Sequence, residues 1–323
     1  MKAAVLGTTG IEIRDVPKPV PGPAQVLVRV RACGLNRADL IMASGHKHGH
    51  AGGPGAILGL EFAGDVEAVG AEVVGIKPGD RVMCSGNAGY AEYAVADFGR
   101  VAPIPANNMS YASAATLPIA LQTMHDALVT NGRLAAGDAV MIQGASSGVG
   151  LMGLQIAKLR GARLVIGTST NAARRARLAE FGADLALDSS DPGWPDAALE
   201  ATAGKGVDLT VDQISAGVAN AQMKAASVRG RIVNVGRLGG FKGEFDFDLH
   251  ALKRIDYIGV TFRTRSVDEV REINRRMRAD LWPAVEVGTL RLPIDRTFPL
   301  EEAAAALAHM KANAHFGKIV LVV

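Results

Sequence analysis

The chain has 323 residues, 48% hydrophobic and 21% charged, which excludes a disordered polymer and sets a prior of about two domains at ~150 residues each. Its 35 Lys and Arg nearly cancel 32 Asp and Glu, and the remaining +3 does not imply a basic stripe of the sort nucleic acid requires. Two cysteines, Cys33 and Cys84, cannot build a disulfide framework, and no Cys-x-x-Cys pair exists to hold structural zinc. The start, with charges at Lys2, Glu12, Arg14 and Asp15, fits no signal peptide, and no apolar run reaches the ~18 residues of a membrane span. The expected compartment is therefore the cytoplasm.

In chain order, the first ~115 residues read as β-rich. AQVLVRVRACGL alternates Val26, Val28 and Val30 against Leu27, Arg29 and Arg31, the period of a half-buried strand. GDVEAVG and DRVMCS predict further strands, separated by turns such as Lys77-Pro78-Gly79-Asp80, where Pro sets φ and Gly accepts a positive one. After residue ~118 strands and helices alternate. AVMIQ (139–143) is an apolar strand followed by a Gly/Ser turn and the helical pattern of Val149, Met152, Ile156 and Leu159. RLVIGT, LALD, GVDLTVD and GRIVNVG predict further strands, with helices at AARRARLAEFG, closed by Gly182, and at ANAQMKAAS. This order predicts a parallel sheet covered on both faces. IDYIGVTF is a late strand, residues 266–281 a charged helix, 301–311 another helix, and KIVLVV the final strand.

AVMIQGASSGVGLMGLQIA carries the most chemistry. A strand, a tight small-residue turn and a helix start make a pyrophosphate site, because the backbone can approach the anion and the helix N–H groups face it. The literal Gly-x-Gly-x-x-Gly, at Gly148, Gly150 and Gly153, falls inside the helix. The register that follows the strand is Ala145, Ser147 and Gly150, with Ser146, Gly148 and Val149 completing the turn. The next strand ends at Gly167-Thr168-Ser169-Thr170, followed by Arg174 and Arg175. No carboxylate stands there for a ribose 2′-hydroxyl, whereas Ser169, Thr170 and Arg174 suit a 2′-phosphate, so NADPH is the expected cofactor. A solvated Arg-rich helix face continuing to Arg177 is the alternative.

The whole set resembles the medium-chain dehydrogenase/reductase superfamily, and within it the zinc-free quinone oxidoreductase (zeta-crystallin-like) branch. The resemblance rests on GLEFAGDVEAVGAEVVGIKPGDRV (59–82), AGYAEYAV (88–95), AATLPIALQTMHDAL (114–128), the GASSGVG turn and the closing GKIVLVV. It implies an α/β chain: a GroES-like β-rich catalytic domain at 1–118 with 264–323, and a Rossmann doubly wound parallel sheet at 119–263. Where the alcohol dehydrogenase branch carries zinc ligands, this chain has Asn36, Gly59-Leu60-Glu61 with no His, and LPIALQTMHDAL with no Cys, so no metal is expected.

The resemblance also implies site residues. Asn36 and Asp39 would stand beside the nicotinamide and orient substrate or water, although a salt bridge or turn cap explains Asp39 equally well. Ser189 would lie near the adenine, and Val235, Gly236 and Arg237 near the nicotinamide ribose. Val260, Thr261 and Phe262 would line the carboxamide side, and Lys318 would reach back to the cofactor. His125 is expected to be a hydrogen-bonded helix residue. The loop ASGHKHGHAGGPGA has Lys47 or His48 where relatives place a Tyr. Its alternating His46, His48 and His50 are read as the rim of a substrate mouth rather than a metal site. Without a Lewis acid the acceptors should be quinones, or else enones, enals and enoyl thioesters, which delocalise their own charge. A cofactor-binding protein with little catalysis is the third reading. The expected partner is a small molecule, together with a second copy of the chain paired through the apolar IDYIGVTF edge of the Rossmann domain.

Overall fold

The period-two stretch after Ala24 folds as the Gln25–Gly34 strand, the centre of the first unit's sheet. In the computed structural model, which describes residues 1–8, 10–49 and 51–323, the chain divides into Met1–Ile119 with Phe262–Val323, and Ala120–Thr261. The first unit's seven-stranded sheet places Gln25–Gly34 between Lys318–Val322 and Glu61–Val69, with Tyr93–Asp97 pairing it as well. Val26, Val28 and Val30 face a core with Phe62, Val66, Tyr90 and Leu321. Arg29 stays exposed, and Arg31 donates to Asp65 at 2.8 Å. The last strand of the chain thus lies against Gln25–Gly34, so the final residues are structural neighbours of Gly34 and Glu61.

The second unit is the predicted doubly wound sheet. Its six strands run in the order Leu185–Leu187, Leu164–Thr168, Ala139–Gln143, Val207–Asp212, Ala226–Asn234, Asp256–Gly259, all parallel. Every residue of Ala139–Gln143 is buried, as a central strand covered on both faces must be. The chain winds first to one side of this strand and then to the other, which makes its C-terminal end the switch point where ligands bind in such sheets. Among the described residues, no helix is long and apolar enough to cross a membrane.

Several elements differ from the sequence reading, among them the following. The charged helix runs Val267–Glu286, through Pro283, because buried Leu281, Ala284 and Val285 hold its last turn in place. The late strand is only Asp256–Gly259, and Val260, Thr261 and Phe262 lie outside it. The Arg-rich helix is a single turn, Ala172–Arg175, followed by a 3-10 turn that ends at Gly182 with φ +96. Finally, the His-rich loop contains two short antiparallel strands, Lys47–His48 and Ala51–Gly52.

Candidate active site

In the second unit the Gly/Ser turn is built as phosphate binding requires. Gly144 (φ +78) turns the chain out of the central strand. Its N–H donates to Thr168 Oγ1 at 3.0 Å, and Ala145 N–H donates to the Thr168 carbonyl at 2.8 Å. These bonds stitch the turn to the neighbouring strand end. Ser147 caps the helix Gly148–Leu159, its Oγ accepting from Gly150 N–H at 3.0 Å. The amides of Gly148 and Val149 begin the helix and have no acceptor within it, so they and the helix dipole favour an anion there. A Cβ on Gly150 would sit 2.7 Å from the Ala145 Cα, so only glycine lets the helix approach the turn this closely.

Sequence reasoning missed Gln213. Its Nε2 donates to the carbonyls of Gln143 (3.3 Å) and Gly144 (3.2 Å), while its Oε1 accepts from Ser147 Oγ (3.0 Å). One amide therefore holds the turn at three points from the next strand. The available signal was a lone Gln directly after the apolar VDLTVD run, too weak to single out.

Ser169 is buried at the end of Leu164–Thr168, and its hydroxyl donates to Ser146 Oγ at 3.1 Å. The two hydroxyls join the Gly/Ser turn to the end of the neighbouring strand. Thr170 is exposed, and Asn171 caps the following turn by accepting from Arg174 N–H at 3.0 Å. Arg175 is committed to Asp188 (2.9 Å) and to the Ser169 carbonyl (2.9 Å). Ser189 stands in the turn after Leu185–Leu187, beside Asp188. Val235 N–H and Gly236 N–H both donate to the Asp212 carbonyl (2.8 and 3.1 Å), and a Cβ on Gly236 would meet the Gln213 carbonyl at 2.5 Å. Arg237 folds back on the Val235 carbonyl at 3.0 Å. Val260 N–H donates to the Asn234 carbonyl at 3.0 Å. Val260 and Thr261 belong to this unit, whereas Phe262 opens the return to the first unit, under the Arg265 guanidinium. His125 is buried at the end of the helix Pro118–His125.

The first unit gathers the other predicted residues in a buried polar cluster. Asp39 is wholly buried. One of its carboxylate oxygens accepts from Asn36 N–H (2.7 Å) and Tyr90 O–H (2.8 Å), which makes it part of the N-terminal cap of the helix Arg37–Ala43. Burial pushes its carboxyl up to about 7, against those two hydrogen bonds and the Lys318 charge. Among the described residues, its other oxygen, Oδ1, has no hydrogen-bond partner. Lys318, which the resemblance implies reaches towards the cofactor, gives its ammonium to the Leu35 carbonyl (2.8 Å), to Asn36 Oδ1 (3.1 Å) and to Glu61 Oε1. Those three acceptors use all three of its N–H bonds. Asn36 is likewise engaged, its Nδ2 donating to Glu61 Oε1 at 2.9 Å and to the Gly34 carbonyl at 3.4 Å. Glu61 Oε2 accepts from Ile119 N–H at 2.9 Å. Glu61 and Tyr90 were not foreseen as partners, although a Glu in GLEFAG and a Lys in KIVLVV, each within an apolar strand, signal a buried ion pair.

The donor set does not suit zinc. Asn36 and Glu61 are committed as above, and Cys33, its thiol pushed up by burial, donates to the Gly89 carbonyl at 2.7 Å. Among the described residues, no group of three or more His, Cys, Asp or Glu is placed to hold a metal ion. His46 and His48 lie in the hairpin segment, and His50 lies outside the described residues.

The family model for the alcohol dehydrogenase GroES-like domain matches residues 22–106, and the zinc-binding dehydrogenase model matches 148–278. The chain belongs to the medium-chain dehydrogenase/reductase superfamily, with a GroES-like domain and a Rossmann domain. Among its relatives, the quinone oxidoreductase of Rattus norvegicus is 30% identical over 310 residues, 95% of this chain and 92% of that protein. A mycocerosic acid synthase-like polyketide synthase of Mycobacterium tuberculosis is 30% identical over 302 residues, 93% of this chain but 14% of that much longer protein. The structure of a mycobacterial protein complexed with NADPH superposes with a TM-score of 0.89 at 26% identity, covering 100% of both chains.

Proposed function

We propose that this oxidoreductase is a zinc-independent reductase that delivers a hydride from NADPH to a quinone or another conjugated carbonyl acceptor. The observation that carries the cofactor choice is the end of Leu164–Thr168, where a hydroxyl pair, Ser169 and Ser146, stands in place of a carboxylate. When bound, the reduced nicotinamide supplies the hydride. The chain's own residues hold its pyrophosphate on the Ala145–Gly150 turn and meet the 2′-phosphate with Ser169, Thr170 and Arg174. Arg175 is paired with Asp188, and Arg174, one residue earlier on the same turn, is the guanidinium we assign to the phosphate. The lack of a zinc donor set among the described residues favours acceptors that delocalise negative charge by themselves, and closeness of the reacting carbon carries the rate. Enone, enal or enoyl thioester reduction is the second reading, favoured by the polyketide synthase match.

NADPH should bind more tightly than NADH, and Arg174→Ala should weaken NADPH by roughly 10–150-fold, the range of a charge-assisted hydrogen bond of about 1.5–3 kcal/mol, while leaving NADH nearly unchanged. Titration calorimetry with both cofactors checks this; equal losses for the two would refute the assignment. NADPH oxidation with 1,4-benzoquinones, 9,10-phenanthrenequinone and alkyl enones, before and after prolonged EDTA treatment, tests the acceptor class and the zinc independence together. A rate abolished by chelation and restored by zinc would reject the reading.

The same proposal includes a homodimer. Asp256–Gly259 is the edge of the six-stranded sheet, paired on one side by Ala226–Asn234. Next to it in sequence, the helix Phe247–Lys253 exposes Phe247 (77%) and Leu252 (73%), apolar surface of the sort that marks an association face. Sedimentation equilibrium at micromolar protein should give twice the chain mass, and Ile258→Lys should lower it; a wild-type mass of one chain would show that this edge does not pair.

A further inference from the structure

The two halves of the second unit's sheet meet at one residue. A doubly wound sheet of this kind is a pair of mononucleotide-binding halves joined at the switch point. Here one half is Ala139–Gln143 with Leu164–Thr168 and Leu185–Leu187, and the other is Val207–Asp212 with Ala226–Asn234 and Asp256–Gly259. The Gly/Ser turn leaves the first half, and the loop 235–239 leaves the second, directly after Asn234. Gln213 and Ile214, which follow Val207–Asp212, run between them.

Both loops close on that segment as tightly as glycine allows. A Cβ on Gly144 would lie 3.0 Å from Ile214 Cδ1, and one on Gly239 would lie 2.8 Å from Ile214 Cγ2. Gln213 bonds to both sides. Its side chain, 6% exposed, clasps the Gly/Ser turn at the Gln143 and Gly144 carbonyls and at Ser147 Oγ. Its own main-chain carbonyl accepts from Leu238 N–H at 3.1 Å, and the Ile214 carbonyl accepts from Gly239 N–H at 2.8 Å. The Asp212 carboxylate stiffens the segment by accepting from Ile214 N–H (2.8 Å) and Ser215 N–H (3.0 Å). The clasp has one polarity. Carbonyls only accept, so both amide hydrogens of Gln213 face them and its oxygen is left for the Ser147 hydroxyl. Because the clasping amide and the carbonyl that holds Leu238 belong to one residue, a change in the order of the turn reaches the loop through a single stem.

We infer that Gln213 is a positioning residue that couples the two halves of the dinucleotide site. It fixes the Gly/Ser turn in the shape that takes the pyrophosphate and passes the ordering of that turn to the 235–239 loop. This inference rests on the cofactor reading above and adds to it a link between the two ends of the cofactor. Coupling between sites is typically about 5–150-fold in affinity.

The test uses the whole protein with 2′-phospho-ADP, which ends at the pyrophosphate and carries no nicotinamide half. At saturation it should slow hydrogen exchange at the Leu238 and Gly239 amides at least about threefold in the wild type. Gln213→Met keeps the length of the side chain without its amide. In that variant the slowing should vanish, and the NADPH dissociation constant from titration calorimetry should rise about tenfold. Adenosine 2′-monophosphate, which has no pyrophosphate, should bind both proteins alike. A role confined to stability would lower the melting temperature and leave the exchange response standing, which overturns the inference. Where Gln213→Met does not fold, Gln213→Asn, whose amide falls one carbon short, takes its place. An exchange response absent from the ligand-bound wild type, or an NADPH affinity unchanged in the variant, overturns the coupling and leaves the cofactor reading intact. Where NADH binds and NADPH does not, ADP replaces 2′-phospho-ADP and the same comparison decides. Binding of none of these nucleotides to the wild type overturns the cofactor reading and the coupling together.

Discussion

Lys318→Met should destabilise the first unit by about 3–5 kcal/mol, the cost of leaving one buried charge without its partner. Glu61 is wholly buried and Lys318 is 4% exposed, so water cannot replace the missing ammonium. The loss also strips a donor from Asn36 Oδ1 and from the Leu35 carbonyl. Charge dominates the effect, because an isolated carboxylate in the interior costs more than an unpaired neutral acceptor. Adding Glu61→Gln to Lys318→Met should therefore recover more than half of the loss, since it neutralises the stranded group. Urea unfolding followed by Trp282, the first unit's tryptophan, in a Trp194→Phe background reports that unit. A loss below about 1 kcal/mol for the single variant, or no recovery in the double, would show that the pair is not desolvated as its geometry requires.

Asp39→Asn should flatten the dependence of stability on pH. The Asp39 carboxyl is raised to about 7 in the fold, from an ordinary 3.8, chiefly by desolvation. Between these values the folded state holds a proton that the unfolded state has released, so stability must fall as pH rises from about 4 to about 7. At 1.36 kcal/mol per unit the group's contribution changes by on the order of 4 kcal/mol over that window. Asparagine cannot titrate, yet its carbonyl can still accept from Asn36 N–H and Tyr90 O–H, so the helix cap survives. The variant should be no more stable than the wild type near pH 4.5 and clearly more stable near pH 8. Denaturation midpoints at the two pH values measure this, and parallel curves would mean that Asp39 is ionised throughout.

Both effects arise in a cluster that the sequence reading had treated as a substrate site. Asn36 and Asp39 were singled out on resemblance, and a cap was one of the two explanations open for Asp39. Hydrogen-bond geometry supplies the cap: Asp39 sits three residues after Asn36 and accepts its N–H. The resemblance implies that Lys318, beside Gly317, reaches towards the cofactor. The pairing of Lys318–Val322 with Ile294–Pro299 and Gln25–Gly34 sets its ammonium beside residues more than 250 positions away in sequence.

The second unit was more legible. Its strands announce themselves as short apolar runs because both faces of a parallel sheet are covered, and its turn does so because only small residues let a helix start approach a phosphate. The strand at 139–143 was read with the bounds it has in the fold. Strand and helix ends elsewhere were less secure. Pro283 marks a helix break by its chemistry, yet buried Leu281 and Val285 carry the helix past it. The tail of IDYIGVTF has a strand's composition, but the ladder ends at Gly259, with Val260 N–H donating to the Asn234 carbonyl just beyond it.

What the sequence by itself determined were the features encoded by neighbours along the chain: the alternating order of strands and helices, the Ala145–Gly150 turn, and the strand end without a carboxylate at Ser169. Each depends on periodicity or on residues a few positions apart, so local physics suffices. Only the tertiary structure decided which polar groups share a buried space. Gln213 clasps the turn, Glu61 meets Lys318, and the hairpin at Lys47 rests on Arg263, through contacts between distant segments. Composition carries no record of such meetings, because the free energy of a buried charge depends on what surrounds it and not on what precedes it.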